Sequence, residues 1–517
     1  MRGVLVRHGG ADVCDDPIVR ERTSAHSDAD VVVVGGGAAG CVMAARLAED
    51  GSRSVTLIEA GPDLRTSVPD GMRDGWGMSR EHGWGYESEP DSRGQVEPLH
   101  RGRLLGGTSW VTRFAVRGSP ADFDAWVALG NRGWAFADVL PAFRELERDD
   151  DYGRAPWHGA GGPIRIRRYL EIEPAPAHAA ALRAFEDLGF PTVRDHNEPG
   201  AVGAGPMPMS SSDGKRVTTA DAYLPADRTP ANLVIRANSP TADIVFEGAR
   251  AVGVRLVDGS VVRGRRIVLC AGTYGSPAIL MRSGIGPAAH LQSVGIAVRV
   301  DLPGVGANLA DHPGVDVVTG YDGPARSAPN LHSIATFHST IAPADGPPDL
   351  MFWVRDPFGD PPGFEIDTVL LKPRSRGSVR LHSADALDPP RIALPGLRDP
   401  SDVDRLVEGY RRAVAVAEHV EVRRQAARPD PPYPRTPEDV RRTVQESEYS
   451  VPHVVGTCAM GPAPADGAVV DASGRVHGTD DLYVVDASII PEPPSGFPHL
   501  ITIMLAERLS ERIASMG

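Results

Sequence analysis

Lysine is almost missing from this 517-residue chain: Lys215 and Lys372 are the only two, and arginine carries nearly all the positive charge. That bias is explained by base composition and assigns no function. Cysteine is scarce as well. Cys14, Cys41, Cys270 and Cys458 show no metal-ligand spacing and are too few to staple so long a chain, which excludes a disulfide framework, predicts no bound metal and fits a reducing cytoplasm. No apolar run approaches the roughly 18 to 20 residues of a membrane helix, so no membrane span is expected. The opening MRGVLVRHGGADVCDD lacks a secretory apolar core, and residues 1–28 read as a polar, mobile leader. An excess of basic charge is also absent. The net charge of -14 argues against nucleic acid or an anionic membrane as partner. With 41% hydrophobic residues the chain has ample material for a packed core in two domains.

What the chain does have, immediately after the leader, is a phosphate-binding pattern. A β-branched run from Asp30 to Val34 stops at Gly35-Gly36-Gly37-Ala38-Ala39-Gly40, continues into helix-forming CVMAARLAED, and returns as VTLIEAG. Gly35 permits the tight turn, Gly37 lets the backbone approach a pyrophosphate, and Gly40 lets helix and strand pack closely. Glu59 follows where a carboxylate would accept from a ribose hydroxyl. A strand, glycine turn, helix, strand and acid in this order predict a dinucleotide site. A second glycine pair, Gly106-Gly107, lies in RGRLLGGTSWVTRFAVRG and would expose backbone donors to a ligand.

Further on, IVFEGARAVGVRLVDG and RRIVLCAG read as a hairpin feeding a buried strand. Between His312 and Ser450 the chain turns proline-rich, with strand-like PDLMFWV and RGSVRLHS and one helical segment, Val403 to Val420. LYVVDASII and ITIMLAERLSERIASM then read as a strand and a helix returning to the first domain. The predicted fold class is α/β, a Rossmann-like cofactor domain interleaved with a substrate domain on a mostly antiparallel sheet. The cofactor domain takes 29–160, 212–310 and 462–517; the substrate domain takes 161–211 and 311–461. Two histidines, His453 in PHVVGTCAMG and His499 in PSGFPHLITIMLAER, stand behind the nucleotide fold. A pair of imidazoles can take a proton from an alcohol while hydride leaves its carbon, which makes the chain a candidate enzyme.

From about Asp30 to its end the chain resembles the glucose-methanol-choline family of flavin oxidoreductases. The resemblance rests on GTYGSPAILMRSGIG from Gly272, WGYESEP from Trp84, LPGVGANLADH from Leu302, KPRSRGSVRLHSAD from Lys372 and VVDASIIP from Val484. It implies FAD as cofactor and a small-molecule alcohol as donor, with dioxygen or another acceptor for the electrons. It further implies that Gly35, Gly37, Gly40, Glu59 and Ala60 hold the adenosine diphosphate and that Trp84, Arg103, Gly106, Gly107, Ser109 and Thr112 line the flavin side. Thr241 would meet adenine, Ala271 would also touch the cofactor, and Asp486 and Ala487 would meet the pyrophosphate and ribityl. His499, Leu500 and Thr502 would adjoin the flavin ring, where a helix starting at Thr502 would aim its free amides. His453, in the family's His-x-x-Gly-Thr-Cys pattern, would be the general base for hydride transfer to flavin N5. His499, at a position that holds histidine or asparagine in the family, would steady the same oxygen.

The chain departs from the family at three places. Thr112 replaces an asparagine or histidine in a loop one residue shorter than usual. Trp110 replaces alanine, and either controls access to the flavin or fills core volume. Ala459 replaces an arginine, with no derivable effect. Around the substrate, Leu350, Phe352, Trp353 and the loop near 325–345 predict an apolar, aromatic wall suited to partly hydrophobic alcohols, although the same strand also reads as core. A lyase or photodecarboxylase that keeps FAD without net alcohol oxidation is the alternative within the fold, and a binding or scaffolding flavoprotein leaves the histidine pair unexplained.

Overall fold

The computed structural model describes residues 28–516, apart from 70, 74–79, 322, 324–329, 344, 360–361 and 426–431. The leader through residue 27, with Cys14, part of the 325–345 loop and part of the Pro/Arg-rich stretch near 428–440 therefore lie outside the described residues.

Five parallel strands form the heart of the first sheet, in the order Leu233–Arg236, Val55–Ile58, Ala29–Val34, Val261–Leu269, Leu482–Val484. Ala29–Val34, Val55–Ile58, Leu482–Val484 and the end of Val261–Leu269 are largely buried on both faces, as a parallel sheet covered by helices requires, whereas Val234 on the edge strand is exposed. Val261–Leu269 forks: its second half pairs with the C-terminal strand while its first half starts an antiparallel meander through Arg250–Leu256 and Thr241–Glu247. This is the expected hairpin feeding a buried strand. Helix Ala38–Ala48 packs on this sheet and Pro498–Ser515 packs on that helix in the same core, so the end of the chain returns to the elements at its start.

The second sheet is antiparallel throughout, in the order Tyr449–Ser450, Pro313–Gly320, Gly363–Leu370, Leu350–Arg355, His332–Phe337, Gly203–Pro206. Alternation along its strands gives two different faces. One face, with Phe352, Leu350, Phe364 and Ile366, is packed under the helices Pro176–Asp187 and Pro400–Ala417. The other, with Trp353, Met351, Ile334 and Val369, meets Phe114 and Phe497 from the first half of the molecule. The architecture is the expected α/β pairing of a Rossmann-like sheet with an antiparallel one. Cys41, Cys270 and Cys458 are buried free thiols. No helix among the described residues is long and apolar enough to cross a membrane.

Candidate active site

The two sheets and the C-terminal helix enclose a cavity of about 610 Å³. Its floor is the first glycine turn. Gly35 has φ +98, and a Cβ there would lie 2.6 Å from the Cys270 carbonyl oxygen. Gly40 is tighter still, because a Cβ would come within 1.8 Å of the Gly35 oxygen; this is the close packing of helix on strand that the motif predicts. A Cβ on Gly37 would meet nothing within 4 Å, and Gly37 lines the cavity. The turn therefore has an open cradle at the one glycine expected to face a pyrophosphate.

Beside the turn, Glu59 is buried and accepts from the amides of Gly36 and Gly61, each at 2.8 Å. Burial raises its carboxyl above the usual range, and those backbone donors oppose the rise. Glu59 and Ala60 both face the cavity, as do Trp84, Arg103, Gly107, Ser109, Thr112, Thr241, Ala271, Asp486 and Ala487. Thr241 Oγ1 is buried without a hydrogen-bond partner. Asp486 braces the wall: its carboxylate accepts from Gly272 N at 2.9 Å, Ser276 Oγ at 2.6 Å and Ser488 N at 2.8 Å. It so joins the C-terminal strand to the start of the Gly272–Arg282 helix.

Several expected positions lie elsewhere. Gly106 stands behind the wall, where its N–H donates to Gly36 O at 2.7 Å and ties the two glycine loops together. Trp110 does not reach the cavity. It is 1% exposed, donates its indole N–H to Leu105 O at 2.9 Å, and packs with Met72 and Leu104. The bulkier side chain at this position fills a small core beneath the loop. Phe352 also points away, stacked on Phe185 at 5.7 Å on the helix-covered face. Period two along the strand puts its neighbour Trp353 on the cavity side.

The C-terminal helix begins at Pro498 and not at Thr502. Proline suits the first helical position, where its missing N–H costs nothing. This shift places His499 in the first turn, three residues before Thr502, so both face the cavity while Leu500 turns into the core.

His453 and His499 line the same cavity. His453 is half-buried and contacts Phe497 edge-on at 4.6 Å. Burial, then the neighbouring His312 and Arg101, hold its pKa well below the usual histidine range. Burial and Arg216 lower His499 to about 4. Both rings are therefore neutral at pH 7, the form that can accept a proton.

Two further residues belong to the site. His312 Nδ1 lies 3.1 Å from His453 Nδ1. Asp311 Oδ1 accepts from the backbone N–H groups of His312 at 2.8 Å and His453 at 2.7 Å, and its other oxygen accepts from Ser450 Oγ. Sequence reasoning assigned neither a role. Their signal is the Ala-Asp-His end of LPGVGANLADH, which the resemblance includes. The Asp311 clamp explains it: the acid fixes the two backbone segments that carry the facing imidazoles.

Comparison with known proteins bears on the same residues. Residues 29–314 and 373–506 match the N- and C-terminal family models described as GMC oxidoreductase. The chain is 35% identical over 531 residues to 5-(hydroxymethyl)furfural oxidase of Methylovorus sp., covering 94% of this chain and 99% of that one. It is 34% identical over 532 residues to oxygen-dependent choline dehydrogenase of Brucella ovis, covering 94% and 95%. Among solved structures it resembles pyridoxine 4-oxidase from Mesorbium loti, with TM-score 0.87, 31% identity and coverage of 95% and 100%.

Proposed function

Because the chain belongs to the GMC oxidoreductase family of FAD-dependent enzymes that act on alcohols, we propose that it oxidises an alcohol to a carbonyl with His453 as general base. The cavity fits the cofactor at the cradle opened by Gly37 and at the unpartnered Thr241 hydroxyl. Gly35, Gly37, Glu59, Ala60, Thr241 and Ala271 would hold the nucleotide half; Trp84, Arg103, Gly107, Ser109, Thr112, Asp486, Ala487, His499 and Thr502 would line the rest. When bound, FAD supplies the hydride acceptor.

The observation that carries the reading is the pair of His453 and the buried His312, with His499 on the same cavity. A hydrogen bond between two Nδ1 atoms needs the hydrogen on one ring only. In the tautomer that serves the reaction, His312 carries its hydrogen on Nε2 and accepts through Nδ1. His453 then donates through Nδ1 and keeps a lone pair on Nε2. That nitrogen takes the hydroxyl proton. His499 hydrogen-bonds the same oxygen and holds the donor in reactive geometry. The segments 29–160, 212–310 and 462–517 serve the cofactor, and 161–211 and 311–461 serve the substrate.

Anaerobic mixing of the FAD-loaded protein with benzylic, aliphatic and sugar alcohols tests the reading. Bleaching of the flavin band by at least one class is the expected result. Carbonyl or hydrocarbon formation with the flavin staying oxidised would favour a lyase or decarboxylase instead. Parallel runs with dioxygen identify the acceptor.

His312 acts on the reaction through His453. Replacing His312 with alanine frees the His453 ring to turn and should slow flavin reduction by up to about a hundredfold, with KM little changed. His312→Asn, whose amide oxygen can accept the same hydrogen, should recover part of the loss. Equal rates for the two variants would remove His312 from the positioning role.

A further inference from the structure

The antiparallel sheet carries an unusual row where it faces the cavity. Trp353 stands opposite Asp367 across one strand pair, and Asp367 stands opposite Asp316 across the next. All three line the cavity. Two carboxylates directly opposite each other on neighbouring strands repel unless a proton or cation lies between them. Arg355 does not resolve this, because its guanidinium is shared between Glu365 and Asp367 Oδ2, the latter at 3.0 Å. Tyr449 donates to Asp316 Oδ1 at 2.7 Å. No donor reaches Asp367 Oδ1 other than a proton shared with Asp316, although the residue is only 2% exposed.

The row is joined to the histidines by aromatic rings. His453 touches Phe497 at 4.6 Å, Phe497 lies 6.1 Å from Trp353, and Phe114 closes on Trp353 at 4.8 Å. A flat ring in this slot would have its carbinol near His453 and its opposite substituent near the two acids.

We propose that Asp316 and Asp367 receive a protonated amine borne by the alcohol substrate, at the far end of the aromatic slot from His453. Three acids against one arginine leave a negative surplus even when one proton is shared, and an ammonium group places N–H donors on Asp367 Oδ1 and Asp316 together. Burial raises both carboxyls, with Asp316 adding to the rise at Asp367. A bound cation reverses that pressure. The proposal rests on the alcohol-oxidation reading for the substrate's other end and on the row alone for its amine.

The FAD-loaded protein is titrated with benzylamine, which lacks the hydroxyl group, and binding is followed by calorimetry. The protein is also mixed anaerobically with 4-(aminomethyl)benzyl alcohol and with 4-methylbenzyl alcohol. In the unaltered protein the amine should raise kcat/KM at least about tenfold over the methyl group, and D316N/D367N should weaken benzylamine about thirtyfold and abolish that ratio. Preference of the unaltered protein for the methyl compound, or equal benzylamine affinity with and without the acids, overturns the proposal. If the double variant fails to fold, the ratio in the unaltered protein decides. If neither alcohol bleaches the flavin while benzylamine still distinguishes the two proteins, the amine site stands and the alcohol reading falls.

Discussion

Alanine in place of His453 should lower the rate of flavin reduction by an alcohol about 10²- to 10⁴-fold, the usual contribution of a positioned general base. FAD should remain bound, because His453 lies on the cavity wall away from the glycine turn and its backbone stays clamped by Asp311. Stopped-flow absorbance under anaerobic conditions measures the rate, and the flavin-to-protein ratio reports the cofactor. The pH profile adds a second readout. A histidine held well below its ordinary pKa of about 6.5 is deprotonated above that lowered value, so the base form persists as pH falls through the normal histidine range. The reduction rate of the unaltered protein should therefore hold level from pH 8 down to about 6.5. A loss of half the rate near that pH would mean that the base is another group, or that His453 is not desolvated when substrate is present.

The second large effect concerns the glycine turn, where two neighbouring glycines should fail in opposite ways. Gly37→Glu projects a side chain into open space, so the protein should fold, but its carboxylate would occupy and repel the pyrophosphate position. FAD should be lost on purification and not recovered by added FAD, with an unfolding midpoint close to that of cofactor-free unaltered protein. Gly40→Ala is different. Its methyl group would sit 1.8 Å from a backbone oxygen, which only movement of helix against strand can relieve, at a cost of at least about 1–3 kcal/mol. That variant should lose stability first and FAD as a consequence. Full FAD occupancy in Gly37→Glu would show that the cofactor does not cross the turn.

The glycine turn was legible because Gly35 and Gly40 answer backbone demands that no other residue meets and Gly37 keeps the cradle open, and such demands are local in sequence. The same holds for the parallel strands around it. The catalytic wall was less legible because strand register places it. Alternation shows that Phe352 and Trp353 face opposite ways, yet which of them meets the cavity depends on the helices that cover the other side. Asp316 and Asp367 become neighbours only through the pairing of Pro313–Gly320 with Gly363–Leu370, which no local pattern encodes. Trp110 shows the converse problem: a large aromatic in a flavin loop suggests access control, but its indole N–H finds Leu105 O and the ring turns inward. The helix expected from Thr502 starts one turn earlier, at Pro498, because proline fits the first helical position, and this sets His499 and Thr502 on one face.

The most direct measurement is a single anaerobic turnover of the FAD-loaded protein with an alcohol it accepts, run beside His453→Ala. The flavin band should bleach with one carbonyl formed per flavin, and the variant should reach the same end point about 10²- to 10⁴-fold more slowly. Product formation with the flavin still oxidised, or bleaching at the same rate in both proteins, would contradict alcohol oxidation with His453 as the base.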